Sequence, residues 1–222
     1  MPAAGPLLAV LVIAHRGNHV QQPENSLAAY QAAIEAGCDY IEVDVWTTRE
    51  GKLVVTHDRP VEPVAEGRFP TFDEALKLAR GKIGVYVDAK SISAADLVAA
   101  LERHGAMDRA VIYGRWELLK EVALMRPRAR IMPEARDAKT LERMLAEGKP
   151  PVIAFDERDF TDELIAMAKR AGAKVYVDRL GAADNPAGWE DAIRRGADAI
   201  QTDMPEELLA FLRKRATRNG AR

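Results

Sequence analysis

Cysteine occurs once in the 222 residues, as Cys38, so no internal disulfide can form and the usage suits a reducing cytosol. A basic excess is also missing. The formal net charge is -2, which argues against the broad electrostatic footprint of a nucleic-acid-binding chain, although a few clustered cations could still hold one phosphate. No Ser/Gly/Pro-rich linker divides the sequence, no segment is of low complexity, and no clear repeat recurs, so a single domain over residues 1–222 is expected. Neither G-x-G-x-x-G nor G-x-x-x-x-G-K-[ST] follows any apolar run, which removes the main support for a nucleotide-binding sheet. The longest apolar run, residues 7–14, is too short to span a bilayer. No Lys or Arg precedes it and His15-Arg16-Gly17 follows at once, so it reads as a buried strand rather than a signal peptide. A cytoplasmic location is expected, with no membrane span.

What is present is an alternation. Hydrophobic residues make up 48% of the chain and charged residues 30%, enough for one substantial core. Strand-length apolar runs are expected at 11–14, 40–45, 84–90, 110–114, 130–132, 152–155, 174–177 and 199–202. Most are rich in Val, Ile and Ala without strict alternation, as in parallel strands covered on both faces. Segments of helical period lie between them. Asn25/Ser26 caps the first, which stops at Gly37; Thr71-x-x-Glu74 is a capping box for the second, which stops at Gly81; the third runs over 93–105. The helix after Thr161 carries Asp162 and Glu163 at its start and Lys169 and Arg170 at its end, matching the dipole, and Pro186 opens the next. Eight strand-then-helix units suggest a closed α/β barrel or an open doubly wound sheet, and the count favours a single (β/α)8 TIM barrel.

Polar residues gather at the expected strand ends: His15, Arg16, Glu42, Asp44, Asp88, Lys90, Glu134, Asp156, Asp178 and Asp203. Barrel active sites are assembled there. For Asp156, Asp178 and Asp203 an ordinary meeting of the chain with solvent explains the charge equally well. Spacing says more about the others. In 40–45, alternation sends Ile41, Val43 and Val45 to the helix layer and Glu42 and Asp44 into the barrel. In 84–90 it sends Tyr86, Asp88 and Lys90 inward. Three inward acids repel unless a cation joins them, and oxygen ligands suit Mg²⁺ or Ca²⁺, with Mn²⁺ also compatible. Lys90 adds an anion site, unless it merely pairs with one of the acids.

The stretch after Asp44 carries a turn, Glu50-Gly51, between two extended segments. A two-residue loop there pairs Arg49 with Lys52 and Asp44 with His57, so a β-hairpin insertion after the second strand would return His57 to the acids. His15 follows the first strand in the inward register, with Arg16 beside it to hold phosphate bidentately and Gly17 to allow a tight turn. Two histidines, an arginine, a lysine and three acids form a coherent set for phosphodiester cleavage. The cation and Arg16 and Lys90 share the phosphate charge, one histidine assists the attacking oxygen, and the other protonates the leaving alcohol. His19 and His104 lack such context and are expected at the surface.

These residues resemble the signature of the glycerophosphodiester phosphodiesterase family. The likeness is carried by His15-Arg16-Gly17, Pro23-Glu24-Asn25-Ser26, Gly37-x-Asp39-x-Ile41-Glu42-x-Asp44-Val45, Thr48, Gly51 and Val54-Val55-x-His57-Asp58, and more weakly by Asp198-x-Ile200-x-Thr202-Asp203-x-Pro205. The resemblance implies a barrel that hydrolyses a small-molecule glycerophosphodiester to glycerol 3-phosphate and an alcohol with a divalent cation. It implies His15 and His57 as the general acid/base pair, Glu42 and Asp44 as metal ligands, and Arg16 and Lys90 as phosphate contacts. Three departures stand out. Asp88 occupies a position where the family usually has glutamate, Val175-Tyr176-Val177-Asp178 replaces a Trp-Thr-Val-Asn-like stretch, and the segment after His57 is short. Three rival readings stay open: a phospholipase C-type phosphodiesterase releasing a cyclic phosphate, a metal-dependent barrel aldolase or isomerase, and a binding module without turnover.

Overall fold

A computed structural model describes residues 10–220. The chain runs β1 (Leu11–Ala14), α1 (Leu27–Ala36), β2 (Tyr40–Thr47), β3 (Leu53–Val55), α2 (Phe72–Ala79), β4 (Gly84–Ser91), α3 (Ala94–Arg103) and β5 (Ala110–Tyr113). It continues with α4 (Trp116–Met125), β6 (Ile131–Met132), α5 (Ala138–Gly148), β7 (Val152–Phe155), α6 (Asp162–Arg170), β8 (Lys174–Asp178), α7 (Pro186–Arg194), β9 (Ala199–Thr202) and α8 (Pro205–Gly220). The sheet order is β6-β5-β4-β2-β1-β9-β8-β7, with β3 hanging off β2. Every pairing along this path is parallel. The remaining gap closes through a parallel bridge between Glu134 and Ala154, where Ala135 N donates to Ala154 O and Ala154 N to Pro133 O, each at 2.9 Å. The result is the expected (β/α)8 barrel. Residues 7–9 of the N-terminal apolar run lie outside the described residues.

Local signals set the helix boundaries. Ser26, Thr71, Ser93 and Thr161 each accept from a backbone N–H two or three residues into the helix, satisfying donors that the first turn leaves free. Thr71 and Glu74 form the full capping box. Two-residue alternation then splits the strands into two cores. Val43, Val87, Ile112, Ile153, Val175 and Ile200 face the helix layer, where they meet Leu76, Leu97, Leu101 and Leu119. The barrel interior is filled by Ile13, Tyr40, Tyr86, Val111, Met132, Val152, Ala154, Tyr176 and Ala199. Truncating one fully buried leucine of the outer layer, such as Leu101, should destabilise by about 2–5 kcal/mol. Gly84 lies against the Tyr40 ring, which a Cβ at that position would meet at 2.5 Å. Arg130 closes that end of the barrel, donating to the Tyr40 hydroxyl at 2.8 Å. Among the described residues no helix is long and apolar enough to cross a membrane.

The hairpin differs from the expected register by one residue. β2 and β3 pair Val45 with Val55 and Thr47 with Leu53, and Thr56 N donates to Asp44 O. The loop is therefore Arg49-Glu50-Gly51, closed by Thr48 N donating to Lys52 O at 2.9 Å. Gly51 takes φ +79, the left-handed residue that ends a three-residue hairpin loop. His57 lies one step past the partner of Asp44 instead of opposite it.

Candidate active site

The strand alternation that fills the barrel interior carries on to its C-terminal mouth. On β2, Tyr40 in the interior is followed by Glu42 and Asp44. On β4, Tyr86 is followed by Asp88 and Lys90. The parallel register sets Asp44 directly beside Asp88. One carboxylate oxygen from each of Glu42, Asp44 and Asp88 can be chosen so that all lie within 4.8 Å of one another. Glu42 and Asp44 are each 2% exposed. Burial raises the Glu42 acid well above the usual carboxylate range, and the charges of Asp44 and Asp88 add to it. Asp88 is also raised, again by burial first, with Lys90 and then His57 opposing. A buried all-oxygen donor set that disfavours its own ionisation fits a hard divalent cation.

Lys90 reaches into this cluster, its Nζ 3.1 Å from Asp44 Oδ1 and 2.6 Å from Asp88 Oδ2. The ion pairing that the sequence allowed for Lys90 is thus formed, and it holds the ammonium at the acids rather than in solvent.

Arg16 sits in the loop after β1, and its backbone explains its place. Arg16 has φ +51 and Gly17 φ +84, two successive left-handed residues. This turn aims Arg16 N at Glu42 Oε2, 2.8 Å away. Gly17 is required twice over, because a Cβ there would meet Ala29 at 2.8 Å. The guanidinium donates to Glu24 at 2.8 Å, and its Nε lies 3.5 Å from Asp44 Oδ2, short of a full hydrogen bond. A non-glycine residue in this conformation stores roughly 1–3 kcal/mol, a strain that tends to concentrate at functional sites.

His15 continues the inward register of β1, and its backbone N donates to Thr202 O across to β9. Its Nδ1 lies 2.7 Å from Asp203 Oδ1. His57 is 43% exposed in its side chain and pairs with Asp58 at 3.0 Å. The backbone just before it is tied to the acid-bearing strand, because Thr56 N donates to Asp44 O at 3.1 Å, so the hairpin returns the chain at His57 to the end of β2 despite the shifted register. Trp46 Nε1 donates to His57 O at 3.3 Å and ties the two hairpin arms together there.

Three residues join the site that sequence reasoning did not place in it. Asn25 was expected as a cap, but Ser26 is the N-cap. Asn25 instead donates to Asp44 Oδ2 at 2.7 Å and accepts from the buried Tyr30 hydroxyl at 2.9 Å, itself in a left-handed backbone conformation with φ +53. Asp203 holds His15. His19 was expected at the surface, yet its ring is half-buried against His15, with Nδ1 2.9 Å from His15 O and Nε2 3.6 Å from Asp203. His104 is likewise partly buried, 2.8 Å from Asp73 on the outside of the barrel. The Cys38 thiol is buried and pushed up to about 12, chiefly by that burial and then by Asp39, so it is no nucleophile.

Across the mouth, β6, β7 and β8 end in a second set of acids. Glu134 accepts from Tyr113 OH at 3.1 Å and pairs with Arg136 at 2.7 Å. Asp156 pairs with Arg158 at 3.1 Å. Among the described residues Asp178 has no such cation.

Residues 15–78 match the family described as glycerophosphoryl diester phosphodiesterases. The chain is 28% identical to a glycerophosphodiester phosphodiesterase of Caldanaerobacter subterraneus subsp. tengcongensis, over 92% of this chain and 98% of that protein. Among solved structures it is similar to a glycerophosphodiester phosphodiesterase of Parabacteroides distasonis, with a TM-score of 0.83 at 23% identity, covering 94% of this chain and 98% of the other. It is also similar to an Oleispira antarctica phosphodiesterase solved with the product sn-glycerol-3-phosphate, with a TM-score of 0.80 at 20% identity, covering 91% and 96%.

Proposed function

Because the chain belongs to the glycerophosphoryl diester phosphodiesterase family, we propose that it hydrolyses glycerophosphodiesters to glycerol 3-phosphate and an alcohol, with His15 and His57 exchanging protons. The observation that carries this reading is the cluster of Glu42, Asp44 and Asp88 beside Lys90, Arg16 and His15 in one barrel mouth. The product bound by the Oleispira antarctica phosphodiesterase supports the same substrate class.

Glu42, Asp44 and Asp88 would hold a divalent cation, Mg²⁺ or Ca²⁺ with Mn²⁺ as a third candidate, which supplies positive charge for the diester phosphate. Arg16 and Lys90 contribute fixed positive charge on the same side, and the bidentate geometry of Arg16 orients the phosphoryl oxygens. The oxygen of a water molecule bonds to phosphorus as the phosphorus–alkoxide bond breaks. One histidine takes the proton of the attacking water, and the other gives a proton to the leaving alkoxide. Asp203 fixes the His15 ring through Nδ1 and so leaves Nε2 toward the mouth. Asn25 performs the matching task for Asp44 by occupying its Oδ2 with a donor.

One small diester is the substrate on this reading, and the net charge of -2 supplies no basic excess of the kind that drives nucleic-acid binding. A cytoplasmic location and a single catalytic domain complete the reading. It is tested by incubating the purified protein with glycerophosphocholine, glycerophosphoethanolamine and glycerophosphoglycerol, with and without Mg²⁺, Ca²⁺ or Mn²⁺. Release of glycerol 3-phosphate only with a divalent ion is expected. Turnover of none of the diesters with any of the ions would refute it.

A further inference from the structure

The β8–β9 side of the mouth contains two acceptors that the reaction chemistry does not use. Asp178 follows Tyr176 on β8 and Gln201 follows Ala199 on β9, and Tyr176 and Ala199 both belong to the barrel interior. Alternation therefore turns Asp178 and Gln201 inward, and the parallel register makes them Cα partners. Gln201 is 6% exposed, and its side-chain oxygen has no hydrogen-bond partner. Leaving such a buried oxygen without a donor is costly. Among the described residues the Asp178 carboxylate has no ion pair and accepts no hydrogen bond; the Arg179 guanidinium reaches only its backbone carbonyl, at 3.5 Å.

The neighbouring acids are answered and Asp178 is not. Arg136 serves Glu134 and Arg158 serves Asp156. Arg16, after the neighbouring β1, and Lys90, on β4, would face the phosphate together with a cation held by the triad. A ligand arm that runs from the phosphate toward β8 thus meets an uncompensated carboxylate and an unfilled amide oxygen. A neutral hydroxyl offers a donor but no charge. A quaternary ammonium offers charge but no donor. A primary ammonium offers both, with three N–H groups and one positive charge.

We propose that Asp178 and Gln201 form a subsite for a primary ammonium group on the alcohol arm of the substrate and select amino-alcohol diesters over neutral ones. This rests on the phosphodiesterase reading above. Burial, then Asp156, Glu134 and Asp88, hold the Asp178 acid up to about 7, and a bound cation would favour its ionised form.

The test compares kcat and KM for glycerophosphoethanolamine, glycerophosphocholine and glycerophosphoglycerol in the wild-type protein and in Asp178→Asn, which keeps size and removes charge. The wild type should favour the ethanolamine diester by roughly tenfold or more in kcat/KM, the worth of one charge-assisted hydrogen bond. Asp178→Asn should lose that preference through KM, with the glycerol diester changed by less than about threefold at unaltered kcat. A wild-type preference below twofold, or an equal loss on all three diesters, would overturn the proposal. Calorimetric titration of the ethanolamine and glycerol diesters into His15→Ala protein, with Mg²⁺ present, reads the same selectivity without turnover. Ammonium-selective binding there, with a wild-type protein that hydrolyses neither diester, would refute the hydrolase reading and leave the subsite standing. Equal binding of the two would refute the subsite alone.

Discussion

His15 Nδ1 and Asp203 Oδ1 lie 2.7 Å apart although 188 residues separate them in the chain. β1 and β9 are neighbours in the closed barrel, so the end of the last strand meets the end of the first. A carboxylate on Nδ1 fixes both the ring orientation and the tautomer of a histidine. Asp203→Ala should therefore lower kcat by roughly 10–100-fold with little change in KM. Asp203→Glu should recover part of the loss. A variant with wild-type kcat would show that His15 needs no such partner.

The two histidines themselves should be more sensitive. His15→Ala and His57→Ala are each expected to lower kcat by roughly 10²–10⁴-fold. Neither belongs to the hydrophobic core, so circular dichroism should show an intact fold. The profile of kcat/KM against pH should be bell-shaped, its two limbs belonging to the coupled pair. A flat profile through the histidine range, or near-normal kcat in either variant, would remove two-histidine catalysis.

Most of this was legible in the sequence. Glu42, Asp44, Asp88 and Lys90 follow from two-residue alternation within single strands, which local sequence determines. Strand-length apolar runs located all eight barrel strands. The hairpin register departs by one residue from a two-residue loop because Gly51 takes a left-handed conformation and ends a three-residue loop. Asp203 and Asn25 are named in the sequence, but their contacts to His15 and Asp44 are not legible there because those partners lie far away in the chain. Only the closure of the barrel and the bend at Arg16 bring them together. Asn25 carried a further ambiguity, since next to Ser26 it reads as a helix cap.

Asp178 gives a stability prediction with a definite sign. Burial lifts its acid from 3.8 to about 7, so the folded protein holds this proton over a range where the unfolded chain releases it. Stability is then lost as pH rises from the unfolded value through about 7. Asp178→Asn never ionises and escapes the loss. Its advantage in stability over the wild type should grow by roughly 1–3 kcal/mol between about pH 5 and pH 8. Thermal melts at both pH values check this. An advantage independent of pH would mean that the carboxylate ionises freely in the folded protein.

The metal triad should also show itself in stability. Glu42, Asp44 and Asp88 attract a cation only when folding assembles them, so a divalent ion that binds there raises Tm in proportion to the logarithm of its concentration. Asp88→Asn should weaken that dependence and lower turnover together. Unchanged metal affinity in this variant would demote Asp88 and leave Glu42 and Asp44 as ligands.

The central claim is hydrolysis of a glycerophosphodiester by His15 and His57 over the Glu42, Asp44 and Asp88 cluster. Phosphorus NMR of the reaction with glycerophosphoethanolamine tests it most directly. The expected record is the diester resonance falling as that of glycerol 3-phosphate grows, with no cyclic phosphate as end product, and with both changes abolished by EDTA and by His15→Ala. A cyclic phosphate as the final product, or full activity after exhaustive chelation verified by elemental analysis, would contradict the account.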